Sequence, residues 1–445
     1  MSAVAAAYRD EWARVVATLC RRYGDLDVAE EAAAEAFATA VERWPADGVP
    51  PNPGAWLTTT ANRKAVDRLR RESKRDGKQR EALMLYDDGP PEPIGAVGDE
   101  RLRLIFTCCH PALAMETRVA LTLRMVGGLT VAEIARAFLV GETAMGQRIT
   151  RAKTKIKAAR IPYRVPAAED LPARLSGVLA VLFLVFNEGY LPSGPGADPV
   201  RPELTAEAIR LTRLLHGLIS GDGDGRGGGD PGGGERGGGG ECGGGGERGG
   251  GGERGGDRGG GERGEVAGLL ALMLLTEARR AARVAPGGEL IPLDEQDRSV
   301  WDAGLIAEGH RLVRERLASG VAPGRYQILA AINAVHTDAR AFPDTDWSQI
   351  VALYDQLAVL DPSPIVALNR AVAVAELEGP EKALAVVDRL DGRLAGYHAF
   401  HATRADLLRR LGRGAEARAA YDRAIASAGN TAEIAYLTRR RGQLA

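Results

Sequence analysis

From Gly221 to Gly264 the chain has almost nothing to bury: Glu235, Glu241, Glu247 and Glu253 recur every six residues in a background of glycine. Glycine loses more backbone freedom on folding than any other residue and has no side chain to pack, so this block cannot organise a core. The fold must come from the segments on either side. A flexible stretch of this length spans only about 35 to 40 Å, and apolar residues resume at once in Val266 to Leu275. The block therefore reads as an insertion in a helical loop. A linker between independent domains would leave the face of the following helix uncovered.

Both flanks carry helical spacing. With 445 residues the chain exceeds what one core usually organises, so two or three domains are expected. High Ala and Leu content with only 5% aromatics favours an all-α fold. Cys20, Cys108, Cys109 and Cys242 lack the dense spacing of a disulfide scaffold, which fits a reducing cytoplasm. Met1 to Glu11 lacks the pattern of a signal peptide. The most apolar run, Leu175 to Phe186, is about a dozen residues where a bilayer needs roughly 20, so it is expected as a buried helix, with no membrane partner. A net charge of -1 conceals strong local segregation.

From Asp27 to Trp44, the residues Val28, Ala32, Ala36, Phe37, Ala40, Val41 and Trp44 recur at three- and four-residue steps beside Glu30, Glu31, Glu35 and Glu42. This predicts an amphipathic helix with an acidic flank. Four prolines and two glycines in Pro45 to Gly54 predict a loop. A basic helix should follow from about Trp56 to Arg75, with Trp56, Leu57, Ala61, Ala65 and Leu69 on one stripe. Asp76 to Gly98 reads as a polar linker, and helical spacing resumes near Glu100, with breaks at Gly127-Gly128 and Val140-Gly141. Near the C-terminus, Leu377, Ala383, Asp388 and Arg389 reappear 34 positions later as Leu411, Ala417, Asp422 and Arg423, the period of tetratricopeptide hairpins. Tyr354 to Pro362 reads as the end of an earlier copy.

The strongest local pattern runs from Leu129 to Lys157: a short helix, the turn Val140-Gly141-Glu142, and a second helix. Leu129, Ile134, Ala135, Leu139, Met145 and Ile149 can pack two helices steeply, with Thr143, Gln147, Arg148 and Arg151 facing outwards. Gln and Arg suit base edges, while Arg151, Lys153, Lys155 and Lys157 suit phosphates. In the earlier basic helix, Trp56, Asn62, Arg63 and Lys64, with Arg68, Arg70 and Arg71, combine an aromatic ring, hydrogen-bonding groups and cations, as single-stranded DNA requires. Trp56 equally suits a core position.

The order of acidic helix, tryptophan-led basic helix, linker and helix-turn-helix resembles regions 2 and 4 of extracytoplasmic-function sigma factors. The runs Glu42-Arg43-Trp44-Pro45, Pro53-Gly54-Ala55-Trp56-Leu57, Leu104-Ile105-Phe106-Thr107-Cys108-Cys109-His110-Pro111, Phe186-Asn187-Glu188-Gly189-Tyr190-Leu191 and Leu368-Asn369-Arg370-Ala371-Val372-Ala373 resemble the subgroup with a tetratricopeptide-like C-terminal extension. The glycine block departs from the short loop expected there. The resemblance implies region 2 at 1–75, a linker at 76–100, region 4 at 101–161, a helical extension at 162–320 interrupted at 221–264, and helical repeats at 321–445. It further implies RNA polymerase core and promoter DNA as partners. Ala29, Glu30, Ala33, Glu35 and Phe37 would dock on polymerase. Trp56, Asn62, Arg63, Lys64, Arg68, Arg70 and Arg71 would take the -10 element; Thr143, Gln147, Arg148, Arg151, Lys153 and Lys155 would take the -35 element. A protein or peptide is the expected ligand of the repeats.

No nucleophile with a nearby base and no phosphate-binding glycine loop is evident, so no enzymatic activity or cofactor is expected. Adjacent Cys108, Cys109 and His110 cannot easily converge on one tetrahedral ion, and His398 with His401 lacks a third ligand, so no metal is expected. Phe186 to Tyr190 reads as a helix stop, with a polar pocket wall as the other possibility. The competing function is a helix-turn-helix regulator acting on polymerase from outside, its repeats binding a peptide or effector. Such a protein has no use for the acidic and tryptophan-led helices.

Overall fold

A computed structural model of the chain describes residues 3–75, 100–138, 140–167, 169–191, 201–220, 258–285 and 287–444. Apart from one isolated bridge between Val284 and Leu290, the described elements are helical. The all-α expectation holds. The linker at 76–99, most of the glycine block, Cys242 and Leu139 lie outside the described residues.

Three helices open the chain: α1 (Ala3–Tyr23), α2 (Leu26–Asp47) and α3 (Pro53–Arg75). Asp25 starts α2 by accepting hydrogen bonds from the backbone N–H groups of Asp27 (2.9 Å) and Val28 (3.2 Å). Most of its apolar stripe is buried, but Val41, counted in that stripe, is 59% exposed. Pro45 lies within the last turn of α2, so the loop is shorter than its prolines suggested, and α3 begins at Pro53. Proline lacks an N–H and fixes a helix-compatible φ, which suits it to a first turn. The helical character of α1 was not anticipated, although it supplies Trp12, Val15, Val16 and Leu19 to the core.

After the undescribed linker come α4 (Glu100–Cys108), α5 (Met115–Met125), α6 (Val131–Ala137) and α7 (Glu142–Ala158). Next are α8 (Leu171–Tyr190), α9 (Pro202–Ser220) and α10 (Arg258–Glu277), the last beginning inside the glycine block rather than after it. The dozen-residue apolar run has become the 20-residue helix α8, long and apolar enough by composition to cross a membrane; here it packs among α4, α5, α9 and α10. α8 ends at Tyr190, the last residue of the run read as its stop. Gly189 lies within its last turn, where α9 passes so close that a Cβ would lie 2.6 Å from the backbone nitrogen of Thr205. The glycine permits that contact.

One hydrophobic core runs from Ala7 to Ala330, taking in residues of all three segments expected as separate domains at 1–75, 101–161 and 162–320. A second core begins on α12 and reaches Leu437. Helix α11 (Ala303–Ala318) still belongs to the first core and α12 (Arg325–Asp338) serves both; the second core continues through α13 (Trp347–Leu360), α14 (Pro364–Leu377), α15 (Pro380–Asp388), α16 (Asp391–Leu394), α17 (His398–Arg410), α18 (Gly414–Ser427) and α19 (Thr431–Gly442). Short turns force consecutive helices to pack as hairpins. Successive hairpins repeat one surface contact, Asp355 with Arg370 (2.6 Å), Asp388 with Arg404 (2.8 Å) and Asp422 with Arg441 (2.6 Å). Such exposed pairs set register more than stability. Arg439 and Arg440 of α19 reach back to Glu295, at 3.4 and 3.6 Å, tying the last helix to the segment after α10.

His336 on α12 packs edge-on to Trp347 with ring centres 5.3 Å apart, and its Nδ1 is buried without a hydrogen-bond partner. Burial, reinforced by the nearby guanidiniums of Arg279 and Arg298, pushes its pKa down to about 4. The neutral ring therefore stabilises the fold fully above the unfolded histidine pKa, and that contribution is lost as pH falls towards 4. Melting followed between pH 7 and 4.5 should show a loss of about 2 to 3 kcal/mol that His336→Gln flattens.

Candidate nucleic-acid interface

On α3, Leu57, Ala61 and Ala65 are buried against α1 and α2, which turns Arg63, Arg70 and Arg71 outwards. Trp56 is half-buried, its ring 5.5 Å from that of Trp44 in an edge contact, so it belongs partly to the core. Asn62 is held by Tyr23, whose hydroxyl donates to its Oδ1 at 2.6 Å. Lys64 lies 3.7 Å from Glu35, and Arg68 pairs with Glu31. The basic face expected to meet DNA is thus already partly neutralised by the acidic flank of α2.

That flank also differs from expectation. Ala29, Ala33 and Phe37 are at most 4% exposed and Glu30 is 8% exposed, so in this conformation none of them offers a docking surface. Of the five residues expected to meet polymerase only Glu35 is exposed, alongside Glu31. The cause is steric. Phe37 packs with Tyr8 and Trp12 of α1 at ring distances of 4.8 and 5.9 Å, α2 as a whole packs against α1 and α3, and Glu30 is met by Arg124 and Lys153.

The helix-turn-helix is built from α6 and α7. Thr130 and Glu133 start α6 reciprocally: the Thr130 N–H donates to Glu133 Oε2 (2.7 Å), and the Glu133 N–H donates to Thr130 Oγ1 (3.2 Å). Ile134, Ala135, Met145 and Ile149 fill the junction, with Leu129 partly buried. Thr143, Gln147, Arg151 and Lys155 face solvent. Arg151 donates from Nε to the Gln147 carbonyl (3.2 Å), and half-buried Arg148 lies 3.7 Å from Glu116.

Lys153 departs from expectation most sharply. Its side chain is only 9% exposed and pairs with Asp27 (2.8 Å) and Glu30, so it is not available to phosphate in this conformation. Burial disfavours its charge, yet the carboxylates of Glu30 and Asp27 outweigh burial and raise its pKa. One turn on, Lys157 reaches Asp25 at 2.8 Å. Arg124 at the end of α5 adds a second cation to Glu30, donating from Nε at 2.5 Å, and also donates to the Leu129 carbonyl (2.8 Å).

Two aromatic residues of α1 complete this contact. Trp12 Nε1 donates to the Met125 carbonyl (3.1 Å) and the Tyr8 hydroxyl to the Gly128 carbonyl (2.7 Å). Gly128 is demanded twice over: its φ is +76°, and a Cβ would sit 3.0 Å from both rings. Cys108 and Cys109 are buried thiols, with Cys109 Sγ 3.3 Å from Thr122 Oγ1. No cluster of three candidate metal ligands occurs among the described residues.

Residues 7–75 match the family model of sigma-70 region 2, and residues 103–156 that of sigma-70 region 4. The sigma factor SigK of Mycobacterium bovis, described as an ECF RNA polymerase sigma factor, is 34% identical over 110 residues, covering 23% of this chain and 56% of that relative. SigK of Mycobacterium ulcerans is 29% identical over 143 residues, 31% of this chain and 74% of its own length. The chain belongs to the extracytoplasmic-function sigma-70 family. An uncharacterized protein of Rhizobium meliloti, R00370, is 40% identical over 438 residues, covering 97% of the sigma factor and 93% of the relative. Residues 174–227 and 258–317 match a family of unknown function, DUF6596. No solved structure matches. The region 2 match sets aside the regulator that acts only from outside.

Sequence reasoning on this sigma factor missed Tyr8, Trp12 and Arg124, which join regions 2 and 4. Only the aromatic content of α1 hinted at them. The start of α6 was legible as Thr-x-x-Glu before an apolar run but was not used. Trp12→Phe keeps an aromatic side chain but removes the Nε1–H that donates to the Met125 carbonyl. Urea denaturation should register a loss of about 1 to 3 kcal/mol.

Proposed function

We propose that this sigma factor binds RNA polymerase core through region 2 and directs initiation at a bipartite promoter, α3 capturing the -10 strand and α7 reading the -35 duplex. The single observation that carries the division of labour is the solvent-facing row Thr143, Gln147 and Arg151 on a helix whose opposite side is buried. Gln and Arg hydrogen-bond base edges, and Lys155 beside them contributes phosphate attraction without sequence preference. On α3, Arg63, Arg70 and Arg71 supply the cations that a melted strand needs. Melting costs about 1.4 kcal/mol of stacking per base step, which captured bases and phosphate contacts offset.

Polymerase docking is assigned to the acidic side of α2, with Glu31 and Glu35 as its exposed carboxylates. The chain acts in the cytoplasm, where promoters are. The helices beyond residue 162 form a regulatory extension, and those from 321 onwards a tetratricopeptide-like array. Exposed Val359, Leu360, Val372 and Leu377 give that array apolar surface suited to a peptide ligand.

Transcription by bacterial core polymerase on a library of randomised promoters tests the reading. Transcripts starting downstream of a shared two-part motif are expected; no initiation from any member contradicts it. Within that assay Gln147→Ala should relax preference at one position of the upstream element, by about 1 to 3 kcal/mol of discrimination. Lys155→Ala should weaken all sequences alike and reduce the slope of log affinity against log salt by about one.

A further inference from the structure

Three carboxylates near the start of α2 hold two cations of α7. Lys153 sits between Asp27 (2.8 Å) and Glu30, and Lys157 meets Asp25 (2.8 Å). These lysines lie on the helix that carries Gln147 and Arg151, in the run whose charge suits phosphate. Neither the bases-reading face nor the packing of the helix-turn-helix requires them to face α2. The carboxylates are separately anchored: Glu30 by Arg124, and Asp25 by the first N–H groups of α2.

This arrangement cannot persist on a promoter that engages both regions. Elements named for positions -35 and -10 lie about 25 base pairs apart, roughly 85 Å of duplex at 3.4 Å per step. Here regions 2 and 4 share one core and touch through direct ion pairs. Engagement of both elements therefore requires α7 to leave α2, and leaving exposes Lys153 and breaks the pairing of the already exposed Lys157 with Asp25.

We propose that Asp25, Asp27 and Glu30 act as an internal stand-in for DNA phosphates, occupying Lys153 and Lys157 until duplex DNA displaces them. The inference rests on α7 as the duplex-binding helix. Its consequence is a competition: duplex must exchange two existing ion pairs for two phosphate contacts, so the closed protein gains little from either lysine. The same α2 carboxylates become free for a cationic surface only when region 4 departs. The binding of DNA and the unmasking of α2 are thereby coupled.

The test is anisotropy of a labelled random-sequence duplex with the full-length protein, titrated at several salt concentrations. Asp27→Asn with Glu30→Gln should bind about tenfold more tightly than the unaltered chain. Its salt slope should be steeper by about one, as Lys153 gains a phosphate contact at about 0.9 while Asp25 still pairs with Lys157. Adding Lys153→Gln and Lys157→Gln to that variant should abolish both gains. A folded double variant with unchanged affinity and slope overturns the proposal. If loss of Glu30 prevents folding, Asp27→Asn alone is read in the same way, since Asp27 is half exposed; a gain of about threefold is expected, and no gain overturns it. No polymerase enters the assay. A chain that gains affinity here yet fails to initiate transcription would keep this inference while contradicting promoter recognition.

Discussion

A single buried carboxylate organises the contact between the two DNA-reading halves. Glu30 is 8% exposed and accepts from Arg124 and Lys153, the first at the end of α5 and the second on α7. A carboxylate so placed is costly to bury unless its partners stay, and removing one partner from such a pair commonly costs about 3 to 5 kcal/mol. Arg124 also binds the carbonyl of Leu129 and lies over the Trp12 ring at 5.8 Å. The position of the helix-turn-helix is thus tied to α1 as well as α2. Glu30, Arg124, Trp12 and Gly128 form one connected set, in which displacing any member exposes groups that have no water-free alternative.

The extension reinforces this closed arrangement. Arg174 donates to the Phe106 carbonyl at 2.7 Å, and the Tyr163 hydroxyl lies 3.0 and 3.1 Å from the carbonyls of Ala17 and Glu100, which share its one proton. Tyr163 therefore pins both α1 and α4 from the segment leading into α8. Because α8, α9 and α10 contribute to the same core as α1 and α2, separating region 4 from region 2 also disturbs contacts of the extension. The regulatory role proposed for it has a physical basis here: a ligand that shifted α8 would bias the opening equilibrium by as much as its affinities for the two forms differ.

Helical periodicity exposed the major helices because each of them buries one stripe. The helix-turn-helix was legible down to Ile134, Ala135, Met145 and Ile149 for the same reason, and Thr143, Gln147 and Arg151 were legible as the complement of that stripe. Charge pattern was a poorer guide. Lys153 and Lys155 are alike in sequence, yet one is buried in an ion-pair network and the other is exposed, a difference set by α2, which lies more than a hundred residues away along the chain. Glu30 likewise looked like surface on an acidic helix until Arg124 of α5 and Lys153 of α7 were placed against it. Gly189 read as part of a helix stop, and the close approach of α9 that it permits was not legible. Local pattern assigns elements; the partner across a long-range contact decides which of their polar residues remain available.

The account turns on whether the free protein holds its two DNA-reading helices together and the promoter complex holds them apart. Dyes attached to exposed positions on α3 and on α7, read by single-molecule energy transfer, measure this directly. The account predicts high transfer for the free chain and its loss, to a separation of roughly 85 Å, when core polymerase and promoter DNA are both present. Low transfer in the free chain, or high transfer retained in an active initiation complex, would contradict it.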